Sequence, residues 1–112
     1  MNTNGLKLLI GPIGAALLII KTELLTADAA IPKSAADRIG DLDKAYGEMC
    51  EQIFANCVGG SNRTARELAR VAGTLAKEAT NERIGRQALD IAGTANRVGD
   101  LAYGMLIGRR AA

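Results

Sequence analysis

The sequence contains no histidine and no tryptophan, and only two cysteines and two prolines among its 112 residues. Aromatic residues make up 3% of the chain: Tyr46, Phe54 and Tyr103. These shortages remove several classes of function. Without histidine, the commonest general base and the usual partner of a nucleophilic serine or cysteine are missing. The cysteines, Cys50 and Cys57, stand seven residues apart with no C-x-x-C pair, so one chain cannot assemble a Cys/His zinc site. On a single helix that spacing separates them by about 10 Å, beyond disulfide reach. Buried free thiols in a reducing cytoplasm are expected, with no base nearby to make either a nucleophile. There is no G-x-x-x-x-G-K-[ST] loop, and "IGPIG" at 10–14 lacks the strand–loop–helix setting of a dinucleotide site. Asp37, Asp41 and Glu48 share a helical face that a divalent ion would suit, but a solvated face explains them more simply. Asn62-Arg63-Thr64 matches a glycosylation acceptor, which matters only in a secreted chain. No catalytic residue, cofactor or metal is expected, and the chain does not read as an enzyme.

What is present is aliphatic. Residues of the apolar class make up 48% of a chain long enough to bury a core as one domain. Core filling falls to Leu, Ile, Val, Ala and Met. No segment alternates as a strand would. The expected fold is all-α: a small bundle of about four helices with a central antiparallel hairpin, oligomeric. After an N-terminal arm at 1–11, helices are predicted near 12–28, 35–57, 65–79 and 82–108.

"LLIGPIGAALLII", residues 8–20, is uncharged, between Lys7 and Lys21. Thirteen residues make about 20 Å of helix, short of the roughly 20 residues that span a bilayer. Lys21 and Glu23 speak against a leader cleaved after "ADA" at 27–29. A core helix or an oligomer contact is the expectation, with membrane association the alternative. Pro12 suits the first helical position. From there Ile13, Leu17, Ile20 and Leu24 form a stripe within a broad apolar arc, and "ADAAIP" ends the helix.

Ser34 with Asp37 resembles a capping box. Ile39, Leu42, Tyr46, Met49 and Ile53 repeat at threes and fours, the clearest amphipathic pattern in the chain. "VGGSN" at 58–62 predicts a stop, with Gly59 or Gly60 in the left-handed C-cap conformation. Thr64 with Glu67 predicts the next helix from Ala65. Leu68, Val71, Ala72, Leu75 and Ala79 form one stripe; Ile84, Ala88, Ile91, Ala95, Val98, Ala102 and Met105 form another. Leu75 and Ile84 are about 180° out of phase, and an unbroken helix over 65–108 would run about 66 Å. A break near 80–83 is predicted, with Thr80 or Asn81 capping the last helix. That helix holds many glycines, each costing up to about 1 kcal/mol inside a helix, which points to close packing. "GMLIG" at 104–108 is a G-x-x-x-G, a motif with specific meaning only in a membrane.

"RELARVAG", residues 66–73, places Leu68, Ala69, Ala72 and Gly73 as the first half of a helix-turn-helix does, and resembles that part of the motif in repressors. The resemblance covers about twenty residues and weakens after Gly73, where Thr74 and Glu82 stand at sites usually apolar. It would imply Lys77, Asn81 and Arg83 in the major groove, with Arg63 and Arg66 on phosphates. An ordinary helix is the simpler account.

The net charge is +2, but residues 34–57 carry −3 and residues 63–86 carry +3. Arg63, Arg66, Arg70 and Lys77 share one face and are the anion-binding candidates, for nucleic acid or nucleotide. Alternatively, they meet Asp41, Glu48 and Glu51 of the preceding helix. Oligomer-interface candidates are Ile13, Leu17, Ile20 and Leu24 in the first helix and Ile84, Ile91, Val98 and Met105 in the last. The expected function is non-catalytic: a cytoplasmic assembly, adaptor or inhibitory protein acting by homo-oligomerisation and protein contact. An anion-binding module is second, and a membrane-associated structural subunit third.

Overall fold

The apolar stripes become the inward faces of four helices. The computed structural model of the chain describes residues 3–26 and 33–111. α1 spans Asn4–Thr26, α2 Lys33–Phe54, α3 Val58–Glu78 and α4 Glu82–Ala111. Among the described residues there is no strand.

Cross-helix bonds fix the order and direction. The Thr3 hydroxyl donates to Asn56 Oδ1 at 2.8 Å, and Tyr46 Oη donates to the Ile10 carbonyl at 3.1 Å. The start of α1 therefore lies beside the end of α2. Arg38 pairs with Glu78 across α2 and α3, and Arg66 with Asp100 across α3 and α4. Asn81 Nδ2 donates to Glu23 at 3.1 Å, so α4 closes back on α1. The backbones of the diagonal pairs, α1 with α3 and α2 with α4, stay more than 8 Å apart, and only their side chains reach the shared core. This is an up-down-up-down bundle measuring 54 × 20 × 17 Å.

Its core follows the three-four spacing. Leu42, Met49 and Ile53 of α2 meet Leu68 and Leu75 of α3, with Ile84, Ile91 and Val98 of α4 and Ile13 and Ile20 of α1, all fully buried. Each such side chain stabilises the fold by roughly 1.5–3 kcal/mol of burial. Ala65, Ala72, Ala88, Ala95 and Ala102 have no exposed surface, and their small size lets α3 and α4 pack closely.

The ends of the helices differ from expectation in two places. α1 begins at Asn4, so the expected arm over 1–11 is largely helical and Pro12 lies inside the helix. Burial of Leu6 at 1% exposure anchors that extra turn and outweighs the proline. The end predicted at 28, and the terminator at 27–32, fall outside the described residues. The hairpin link also moves. α2 stops at Phe54, and Asn56, with φ 58°, takes the left-handed conformation expected of Gly59 or Gly60. Asparagine tolerates that conformation, so glycine was not needed. Both glycines lie inside α3, whose N-cap is Cys57 without a side-chain cap. Thr64 is inside the helix too, donating back to the Gly60 carbonyl at 2.7 Å rather than capping. Ser34 likewise falls within the first turn of α2.

The break between the last helices occurs where the phase change requires it. α3 ends at Glu78 and α4 starts at Glu82. Asn81 Oδ1 accepts from the backbone N–H of Ile84 at 3.1 Å, an N-cap bond with Glu82 in the first turn.

Candidate interaction surface

The eight apolar interface candidates do not form a surface. Ile13, Leu17, Ile20, Ile84, Ile91 and Val98 are buried in the chain's own core, and Leu24 and Met105 pack against it. The period identified an inward face correctly, but α1 and α4 cover it with each other and with α2 and α3. A second copy cannot reach the six buried side chains in the folded bundle, whereas Leu24 and Met105 are partly exposed.

The arginine row is continuous in space but partly neutralised. α3 passes through Gly73 without a turn, so the helix-turn-helix break is not there. Arg66 donates to Asp100 at 2.7 Å and to Asn96 Oδ1 at 3.2 Å. Arg70 chelates Glu67 one turn away, and that guanidinium holds the Glu67 carboxyl below the usual carboxylate range. Arg63 and Lys77 are exposed and form no ion pair with a described residue. The row meets the acids of α2 in part: Arg70 lines one groove with Asp41 and Glu48 and feels the charge of Asp41, but among the described residues no ion pair forms between them. The ion pair joining α2 and α3 has the opposite polarity, Arg38 with Glu78. These pairs are solvent-exposed, where water and salt screen them and leave them little part in stability.

The two thiols stand in different surroundings. Cys57 is exposed at the head of α3 and Cys50 is half-buried in α2, so the two do not share a helix face and are not both buried. Burial pushes the Cys50 thiol up, with the neighbouring Tyr46 hydroxyl pulling back, and a raised thiol is contrary to what a nucleophile needs. Among the described residues, no three of the His, Cys, Asp and Glu types gather where an ion would bind.

Among the described residues, Tyr46 is the one strongly perturbed titrating group. Desolvation first, and the neighbouring Cys50 second, raise its pKa to about 12. Its folded value lies above the unfolded value near about 10, so its contribution to stability is intact below pH 10 and lost as pH rises through 12. The wild-type protein should therefore lose stability over that interval more steeply than Tyr46→Phe, measured by urea denaturation at successive pH values. Equal slopes would mean that the phenol is not held neutral by the fold.

The unexplained surface is the outer side of α1 and its border with α4. Leu8, Gly11, Pro12, Ala15, Leu18, Thr22 and Leu25 are all exposed, and no charge interrupts them. Only 22% of the most apolar 18-residue window of α1 is buried. By length and composition α1 is long and apolar enough to cross a membrane, the only described helix that is. Beside it, an open groove of about 500 Å³ lies between α1 and α4, lined by Pro12, Ala15, Ile19, Leu89 and Gly93 and by the polar side chains of Gln87, Asp90, Thr94 and Arg97. Leu89 and Leu101 add exposed apolar area from α4. Glycine packing inside the chain does not account for this side: a Cβ placed on Gly93, Gly104 or Gly108 would meet nothing within 4 Å. Of the glycines of α4, only Gly85 and Gly99 have close neighbours.

The architecture defines a class, a small up-and-down bundle of four antiparallel helices with one bare apolar flank. No protein-family model, no curated protein and no solved structure matches the chain.

Proposed function

We propose that this chain is a non-catalytic assembly protein that acts by self-association and by occupying a partner's surface, as an adaptor or inhibitory subunit. The observation carrying the reading is the bare face of α1. A helix that is apolar all round belongs in an interior, and this bundle covers only its inner side. A reducing cytoplasm suits its two free thiols.

The same face supports a second reading, contact with a membrane. Insertion across a bilayer is disfavoured by Lys7, Lys21 and Glu23 within α1 and by the charged outer sides of α2 and α4 packed beside it. Docking along the membrane surface is the form compatible with the bundle. Anion binding has weaker support, because Arg66 and Arg70 are engaged by carboxylates.

Sizing chromatography with light scattering, in detergent-free buffer at low and high salt, tests the proposal. The expected result is one discrete oligomer at both salts, since apolar contact is not screened. A monomer at every concentration would overturn self-association. Co-elution with nucleic acid at low salt only, lost in Arg63→Ala and Lys77→Ala, would replace it with the anion reading.

A further inference from the structure

The bare flank carries an arrangement of charge that selects one occupant. Asp90 and Arg97 stand seven residues apart on the exposed side of α4, two turns, and both line the groove shared with α1. Neither forms an ion pair or hydrogen bond with any described residue, although most neighbouring charges do. Midway between them is Gly93, exposed and with open space where a Cβ would be. On α1, Pro12 and Ile19 lie seven residues apart around Ala15 and Ala16, and line the same groove. Since α1 and α4 run antiparallel and both segments line one groove, the two segments lie alongside each other.

A two-fold axis lying in the plane of this face and crossing the helices at the level of Gly93 exchanges the two ends of the 90–97 segment. It sets α4 antiparallel to α4 of a second copy, Gly93 beside Gly93. Each Asp90 then faces the Arg97 of the other copy, and each apolar α1 face meets its equivalent. We propose that two copies of this chain dock across the α1–α4 flank about such an axis, with two reciprocal pairs of Asp90 and Arg97 fixing the register. The reading rests on the self-association proposed above and names its surface.

Three features favour a second copy over the alternatives. The patch is self-complementary, as an isologous interface must be. It joins the apolar face of α1 to polar and charged side chains of α4, the mixture usual in a protein interface. Its charged side chains carry both signs and its α1 face has no aromatic side chain, whereas a lipid-docking helix favours basic residues and Trp or Phe. Gly93, which weakens an isolated helix, lets the two α4 backbones approach without a side chain between them.

The test is a charge-reversal exchange, read as dimer dissociation constant by sedimentation. Asp90→Arg alone places two like-charged pairs in the dimer, and Arg97→Asp alone does the same with the opposite sign. Each is expected to weaken the homodimer by at least about tenfold. Mixed together, the two variants should form a heterodimer of near wild-type affinity, because every facing pair is then opposite in sign. Both positions are exposed, so helix content and melting temperature should stay at wild-type values. Homodimers of either variant as tight as wild type, or a mixture that remains monomeric, would overturn this interface while leaving self-association standing. A wild-type chain that is monomeric throughout would overturn both. So would a monomer that is captured by vesicles of phosphatidylcholine and phosphatidylglycerol, by assigning the flank to lipid.

Discussion

Ile91→Asp is expected to abolish cooperative unfolding at pH 7 rather than to separate subunits. Ile91 is 1% exposed, in the middle of the inward stripe of α4 that also buries Ile84, Ala88, Ala95 and Val98. Losing the isoleucine alone removes about 2–3 kcal/mol of burial. An ionised carboxylate in the same space adds several kcal/mol of desolvation with no cation buried nearby to offset it. A domain of this size has about 5–15 kcal/mol in total. The far-ultraviolet circular dichroism of the variant should show lost helix at pH 7. Acidification that protonates the new Asp should restore part of it. A well-folded monomer with a sharp urea transition would contradict the bundle and return Ile91 to a surface between copies.

That contrast shows where sequence reading reached its limit. The spacing of apolar residues on α2, α3 and α4 revealed which side faces inward, because a three-four period is a local property of one helix. It did not reveal what covers that side. Ile84, Ile91 and Val98 read equally well as a seam between copies until α1 was found to extend to Asn4 and close the bundle. Asn81 was legible as a cap because its bond to the Ile84 N–H spans three residues. Gly59 and Gly60 misled: glycine permits a turn without compelling one. Burial of Val58, Ala65 and Leu68 carried α3 through them, while Asn56 made the turn. The charge partners were out of reach for another reason. How α3 is rotated about its axis is set by the stripe it buries, and that rotation sends Arg66 toward Asp100 of α4 instead of the acids of α2. The flank carrying Asp90 and Arg97 had a signal, unpaired charges around an exposed glycine, but only the packed bundle separates it from solvated helix surface.

The extension of α1 through Pro12 makes the second large prediction, and its sign is opposite. A proline within a helix has no N–H for the carbonyl four residues back, here Leu8, and its ring crowds that turn. The cost is about 3 kcal/mol, reduced by the rigidity proline imparts to the unfolded chain, about 0.4–1 kcal/mol. Pro12 is exposed, so replacing it with alanine opens no cavity. Pro12→Ala should therefore stabilise the protein by about 2 kcal/mol, read as a higher urea midpoint at unchanged slope. For a domain of this length that corresponds to a rise of very roughly 10 °C in melting temperature. The reverse result would have a definite structural meaning. At the first position of a helix proline is favourable, so a neutral or destabilising Pro12→Ala would place the start of α1 at Pro12 and leave residues 4–11 outside the helix. If stabilisation is found, a strained residue persists at the edge of the apolar flank although a better helix former was available. Loss of the wild-type oligomer in the same variant would then tie that strain to the shape of the surface two copies share.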